Sequence, residues 1–480
     1  MRRLLSCTAA AVLLLGVSQL LPHTAEAQRV RSARAGGAIG WNTVPSILAR
    51  IRPPKFPARD FPITNFGARA GGDFDNTEAI RKAIEACNRA GGGRVVIPSG
   101  VFMTGAIHLK SNVNLHVSEG STLRFFNDPA KYLPAVYTRW EGTELMNYSP
   151  FIYAFEQQNI AVTGKGTLDG GASDENWWRW ARRQGSTPAP ASADVRRLRE
   201  MGNTNVPVSQ RVFGEGHFLR PPFIQPYRSR NILIEGVTII NSPFWEIHPV
   251  LSQNITVRGL NIRSHGPNND GCDPESSKDI LIEDCVFDTG DDCIAIKSGR
   301  DDDGRRVGVA SENIIVRNCT MKDGHGGVVI GSEISGDCRN VFVEDCKMDS
   351  PNLDRALRFK SNALRGGVIE NVFMRNVQIG RVGEAVLTID FLYDTGDKGP
   401  YKPVVRNVQI ENVTSRSSPR VMWVVGFPGV VIDDIRFRNC TFRGVESAEV
   451  LNHVGSFSFE NVTIEPAKKG RSLNSPQATQ

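Results

Sequence analysis

From residue 231 onward the chain repeats one alternation of apolar and polar positions. "NILIEGVTI" begins at Asn231, "NITVRGLNI" at Asn254, "DILIEDCVF" at Asp279, "NIIVRNCTM" at Asn313 and "NVFVEDCKM" at Asn340. "NVFMRNVQI" at Asn371, "NVQIENVTS" at Asn407, "DIRFRNCTF" at Asp434 and "SFSFENVTI" at Ser456 complete the series, with a looser early copy, "NIAVTGKGT", at Asn159. The starts lie 22 to 36 residues apart. Within each copy apolar residues alternate with polar ones, β-branched types dominate, and Asn, Asp or Gly marks the middle, the pattern of strand, turn, strand. No helix-length amphipathic segment separates the copies, which disfavours βαβ architectures. One such unit per rung, each burying its apolar face on its neighbours, predicts an all-β, single-domain right-handed parallel β-helix. Cys285, Cys319, Cys346 and Cys440 recur in one slot of the repeat, as small apolar residues stacked in a core would.

Other segments break the period. "DNTEAIRKAIEACNRAGGG" offers Asn76 or Thr77 as N-cap, Ile80, Ala83, Ile84 and Cys87 at helical spacing, and a stop at Gly91. Open rungs template aggregation, so this N-terminal capping helix is expected to cover the end of the solenoid. Residues 28–55, rich in Arg, Ala, Gly and Pro, are expected to form a flexible arm before a β-helix domain at 56–466. The stretch at about 171–225, with "ENWWRWARRQGS" and "TPAPASA", interrupts the rungs and is expected to shape one side of a cleft. The tail 467–480 is expected to be disordered.

The first 27 residues change the compartment. A basic start (Arg2, Arg3), an apolar stretch through Leu21 and the small-residue site Ala25-Glu26-Ala27 form an export signal cleaved after Ala27. The mature protein is therefore expected to be secreted or periplasmic, free of the membrane. Eight cysteines remain after it. Their repeat positions favour buried thiols over a disulfide framework, with a local Cys338–Cys346 bridge left open. Asn254, Asn318, Asn412, Asn439 and Asn461 each begin an N-x-T sequon, but at repeat turns, where a structural Asn is expected. The net charge of +6 mixes Lys and Arg with Asp and Glu. No basic run with interleaved aromatics points to nucleic acid.

Chemistry gathers at one phase of four successive rungs. "GPNNDGCD" carries Asp270 and Asp273, "GDDCIAIKSG" carries Asp291 and Asp292, "GHGGVVIGSE" carries His325, and "RALRFKSN" carries Arg358 and Lys360. Stacked rungs are about 4.8 Å apart, so these groups share one patch. Taken singly, each Asp or His beside Gly reads as a turn residue, and Asp291-Asp292 as a calcium site. Together they supply what glycoside hydrolysis needs, a protonated carboxyl and an ionised carboxylate kept apart in pKa by mutual repulsion. Arg358 and Lys360 suit a substrate that bears carboxylates.

With these residues in order, the chain resembles glycoside hydrolase family 28, the polygalacturonases, over nearly its whole mature length. The family's four motifs correspond to "NND" at 268–270, "GDD" at 290–292, "GHG" at 324–326 and "RFK" at 358–360. The resemblance implies a pectin-lyase-like solenoid and inverting hydrolysis of α-1,4-galacturonosidic bonds in pectic polysaccharide or oligogalacturonides, without a metal. It implies Asp291 as general acid, Asp270 and Asp292 holding the attacking water, and His325 tuning the acid. Arg358 and Lys360 would grip galacturonate carboxylates, Asn268 would orient the substrate or its loop, and Tyr393 would be a further contact. Asn269 stands where the family has Thr, and Phe359 where it has Ile.

The insert and "SPFWEIHP" (Trp245, His248) resemble the bacterial exo-polygalacturonase-like branch, which implies release of galacturonate from non-reducing ends. An endo-polygalacturonase, or a hydrolase of rhamnogalacturonan or xylogalacturonan, is the alternative within the class. A calcium-dependent pectate lyase or a non-catalytic β-helix glycan-binding protein is the alternative outside it. A capped solenoid is expected to be a monomer.

Overall fold

Parallel pairing turns the repeat into a ladder. Ile232, Ile255, Ile280, Ile314, Val341, Val372, Val408 and Ile435 stand in register on successive strands, all buried. The computed structural model describes residues 39–467. The expected signal peptide, residues 28–38 of the expected arm and the tail from 468 lie outside the described residues. The largest sheet has 23 strands and its strand pairs are parallel, the architecture of a right-handed parallel β-helix.

The turn residues explain the asparagines. Asn159, Asn231, Asn254, Asp279, Asn313, Asn340, Asn371 and Asn407 all adopt a left-handed backbone, with φ between 53° and 60°. Asn and Asp tolerate that conformation because their short side chains bond locally, whereas β-branched residues do not. The side chains then bond from rung to rung. Asn340 Nδ2 donates to Asn313 Oδ1 at 3.0 Å, and Asn371 Nδ2 to Asn340 Oδ1 at 3.0 Å. The sequon residues Asn254, Asn318, Asn412, Asn439 and Asn461 all occupy such positive-φ turns.

One link in the ladder is missing. Asp279 has no N–H to offer Asn254, and the chain's own N-terminal part fills the gap. The Arg52 amide donates to Asn254 Oδ1 at 2.7 Å, Asn254 Nδ2 donates to Arg52 O at 3.0 Å, and Arg50 Nη2 donates to Asp279 Oδ1 at 2.8 Å. These residues belong to helix α1 (Val44–Arg50) and its exit. Upstream, Trp41 meets Phe342 edge-on at 5.5 Å and lies under the Arg375 guanidinium at 3.9 Å. From Gly40 to Arg52, then, the expected flexible arm is a docked strap. Its composition hid this, because its partners sit on rungs 200 or more residues away.

Helix α2 (Thr77–Arg89) buries Ile80, Ala83, Ile84 and Cys87 against the first rungs as the spacing predicts. Asn76 is its N-cap residue, but the Asp75 carboxylate accepts the Thr77 amide at 3.0 Å. The segment 171–225 is ordered as well. Its helix α3 (Ser192–Asn203) places Leu198 in a cluster with Trp140, Leu145, Phe213, Phe244 and Trp245. All eight cysteines among the described residues are buried free thiols, Cys338 and Cys346 included.

Asn340 tests the ladder. Asn340→Ala loses two inter-rung bonds and strains a left-handed position, and is expected to cost about 2–3 kcal/mol. Asn340→Gly, which relieves only the strain, is expected to cost less. Urea midpoints of the two variants check the order.

Candidate active site

A second, six-stranded parallel sheet carries the chemistry. It runs through Ile294–Ile296, Val328–Ile330, Arg355–Lys360, Ala385–Asp390, Arg420–Val425 and Val450–Asn452. Single bridges extend it to earlier rungs, Ile247 to Cys272 and Cys272 to Ile294. The motifs at 268–270, 290–292 and 324–326 lie in turns that lead into this sheet, and 358–360 closes one of its strands; close packing fixes them there. A Cβ on Gly324 (φ 149°) would lie 2.6 Å from Asp291 O, so His325 is flanked by residues that let its rung approach the one below.

Asp291 and His325 form one unit. His325 Nδ1 lies 2.9 Å from Asp291 Oδ1, and the His325 amide donates to Asp291 O at 3.1 Å. Burial pushes the Asp291 carboxyl up, but the His325 hydrogen bond and charge, with Lys360 and Lys297, outweigh it and bring it down to about 2. The bond to Asp291 raises His325 to about 9 against its burial. Between those values the pair holds one proton.

Asp292 is fully buried. It accepts Lys360 Nζ at 2.6 Å on Oδ2 and has Arg358 Nη1 3.5 Å from Oδ1. Asp270 and Asp273 are buried with no donor on three of their four carboxylate oxygens. Burial, then neighbouring acids, push Asp270 well above the usual carboxylate range; burial does the same for Asp273. Lys297 serves both, with Nζ 3.7 Å from Asp270, 3.6 Å from Asp273 and 3.2 Å from Glu333. Burial works against that ammonium, but the four surrounding carboxylates hold it above its ordinary value. Its Nζ also lies 4.3 Å from the Trp245 ring centre.

Asp270, Asp291 and Asp292 each offer a ligand atom within 4.8 Å of the others, the geometry the calcium reading would use. The donor set does not suit that ion. Ammonium and guanidinium groups already stand against these oxygens, and calcium takes about six to eight oxygen ligands.

Above the acids lies a cavity of ≈ 440 Å³ lined by Trp245, Asn268, Asp270, Asp291, Lys360 and Tyr393. Its far wall is a ring of ion pairs. Arg199 of α3 binds Glu141 at 3.1 Å; Arg300 binds Glu333 at 3.1 Å, Asp394 at 3.2 Å and Glu141 at 3.6 Å. Glu141 lies between Val136–Trp140 and Thr143–Asn147, the strands of an antiparallel hairpin. A larger concavity of ≈ 820 Å³ past Arg228, Lys278 and Arg339 has no histidine along it.

Residues 214–462 match the glycosyl hydrolases family 28. The chain belongs to that family. A solved hyperthermoactive exopolygalacturonase from Thermotoga maritima is 46% identical with a TM-score of 0.85, over 89% of this chain and 96% of that one. An exo-poly-alpha-D-galacturonosidase of Dickeya chrysanthemi is 28% identical over 85% of this chain and 71% of its own length. An endo-polygalacturonase of Pectobacterium parmentieri is 30% identical over 71% of this chain and 78% of its own. This family 28 chain is therefore a glycoside hydrolase.

The family 28 motifs converge here, with two departures given a structural reason. Asn269 is buried, accepting Ser264 Oγ and the Gly266 amide at 2.7 Å each, so it anchors the loop that presents its neighbours. Phe359 packs in the core, as an Ile would. Arg358 lies at the margin, its Cζ 5.9 Å from the Tyr393 ring centre. Sequence reasoning missed Lys297, Arg220, Arg300 and the wall. Arg220 Nη2 donates to Asn268 Oδ1 at 2.7 Å. The signal for Lys297 was a charge imbalance: four acids on two rungs, three of them buried, exceed what Arg358 and Lys360 neutralise.

Lys360→Met would leave Asp292 buried without its hydrogen-bonded cation, with only Arg358 at 3.5 Å and the more distant, shared Lys297 to balance it. Breaking a buried pair on one side is expected to cost about 3–5 kcal/mol. Thermal unfolding checks this, and Asp292→Asn in the same background is expected to recover part of the loss.

Proposed function

We propose that this glycoside hydrolase cleaves α-1,4-galacturonosidic bonds of polygalacturonate with inversion and releases galacturonate from chain ends. The carrying observation is the Asp291–His325 proton pair, set beside a carboxylate locked to Lys360 in a cavity rich in cations. The exopolygalacturonase from Thermotoga maritima, the solved relative at 46% identity, supports the same reading.

In the free enzyme the pair's proton resides on His325. A uronate in the cavity brings negative charge and excludes water, and both favour passing that proton across the 2.9 Å bond to Asp291. Asp291 then protonates the glycosidic oxygen as the bond to the anomeric carbon breaks. Asp292 accepts the proton of the attacking water, while Asp270, which keeps its own proton, donates a hydrogen bond that orients it. In this scheme neither acid attacks carbon itself, because Asp270 is protonated and Asp292, fully buried and off the cavity lining, meets the substrate only through the water. This arrangement favours inversion even though the three acids lie closer than the roughly 6.5–9.5 Å usual for inverting pairs. Lys360, Arg358 and Tyr393 receive the substrate carboxylate, and Asn268, held by Arg220, orients the ring.

The ion-pair wall favours exo action, since a cleft blocked at one end takes a chain end where a cleft open at both ends would take the middle. The export signal fits a polymer substrate that cannot enter the cell. Incubation with polygalacturonate in EDTA tests the reading. Saturated monogalacturonate from the earliest times, with no ultraviolet-absorbing unsaturated ends, is expected; a ladder of saturated oligomers would mean endo action. Asp291→Asn is expected to lose about 10²–10⁴-fold in rate.

The pH profile follows from His325. Its folded value is raised to about 9, so the proton it stores persists below that pH and is lost as pH rises through it. kcat/KM is expected to fall above pH about 9, and His325→Asn to lower the rate and remove that limb.

A further inference from the structure

The sheet that carries the site continues past it. Arg358 pairs in register with Thr388, and Thr388 with Trp423, which puts Trp423 two strands further along. Two strand spacings are about 10 Å. There Gly383, Glu384, Pro419, Arg420, Trp423 and Val450 line an open hollow of ≈ 420 Å³. Trp423 is half-buried, leaving part of the indole to solvent. Its other contact is Arg355, whose Cζ is 5.9 Å from the ring centre.

Among the charges around the hollow, one guanidinium forms no salt bridge within the described residues. Glu384 is paired with Arg355. Glu449 accepts the amides of Val421 and Met422; burial raises its pKa against the pull of those amides and of the Arg420 charge. Arg420 donates Nε to Ala448 O at 3.0 Å, and its guanidinium forms no salt bridge among the described residues. An aromatic face and a guanidinium without a salt bridge, lining one hollow, suit an acidic pyranose. The indole takes the C–H face of the ring and the guanidinium takes the carboxylate.

We propose that Trp423 and Arg420 form a distal subsite for a galacturonate unit in the part of the polymer that extends out of the catalytic cavity. The inference rests on the polygalacturonate reading of that cavity. With the ion-pair wall closing one side, the remaining chain has to leave along the sheet, and this hollow lies in line with Arg358 on that sheet. The subsite acts on chain-length preference and takes no part in bond breaking.

The test is kcat/KM on galacturonate oligomers of two to six units for wild type, Trp423→Ala, Trp423→Phe and Arg420→Gln. Wild type is expected to gain with length. Trp423→Ala is expected to lose about threefold to tenfold on the longer chains, the range for one stacking face, and nothing on the dimer. Trp423→Phe is expected to restore most of the loss. Arg420→Gln is expected to reduce the gain and its sensitivity to salt. Equal losses on dimer and hexamer would mean that Trp423 serves only packing, and no loss on long chains would leave the hollow without a role; either overturns the proposal. Wild-type cleavage with flat length dependence would sink the subsite alone, whereas no cleavage of any oligomer would sink the substrate reading with it.

Discussion

In-register parallel stacking is the constraint on which everything else rests. Every side chain meets its equivalent on the next rung at about 4.8 Å, so whatever occupies a slot has to tolerate a near copy of itself. Aliphatic residues do so inside, and asparagine does so at the turns by donating with one side-chain atom and accepting with another. Charged residues cannot. On the outer face the chain alternates signs, as in Arg317 with Glu283 and Arg375 with Glu344.

The active site is the place where that rule is broken. Asp270 and Asp292 stand on adjacent rungs with Asp291 and Asp273 beside them, and stacking forces these acids together. Lys297 and Lys360 supply the compensation from within the same sheet. Too few cations remain to balance all four, and burial with neighbouring acids shifts Asp270 and Asp273 well above the usual carboxylate range. Only Asp291, at the solvent side with His325, has a partner that can lend and recover a proton. Burial, with repulsion built in by the fold, thus sets Asp270 and Asp273 apart from Asp291.

Much of this was legible in the chain because it is written in short, repeated words. The period exposed the solenoid, the helical spacing of Ile80, Ala83, Ile84 and Cys87 exposed the cap, and the four motifs fall on adjoining rungs as their phase required. What escaped depends on contacts that no local pattern carries. Arg199, Arg300 and Glu141 come from an insert, a loop and a hairpin, and they make a wall only once the fold has joined them. Lys297 sat in plain view, but its role follows from counting buried charge across two rungs. The strap escaped because Pro, Arg and Gly composition says nothing about partners 202 and 229 residues away.

That strap also has a bearing on how the molecule comes together. Trp41 touches the rungs of Phe342 and Phe373, while Arg52 and Arg50 reach those of Asn254 and Asp279, so one short segment spans the middle of the solenoid lengthwise. A solenoid built of nearest-neighbour contacts is free to fray or open at any rung. A lengthwise tie couples rungs that otherwise never meet, and opening any of them strains all the others. Synthesised early, the segment has no seat until the rung of Phe373 is laid down. Its docking therefore closes assembly of the central rungs, a late latch made from the beginning of the chain.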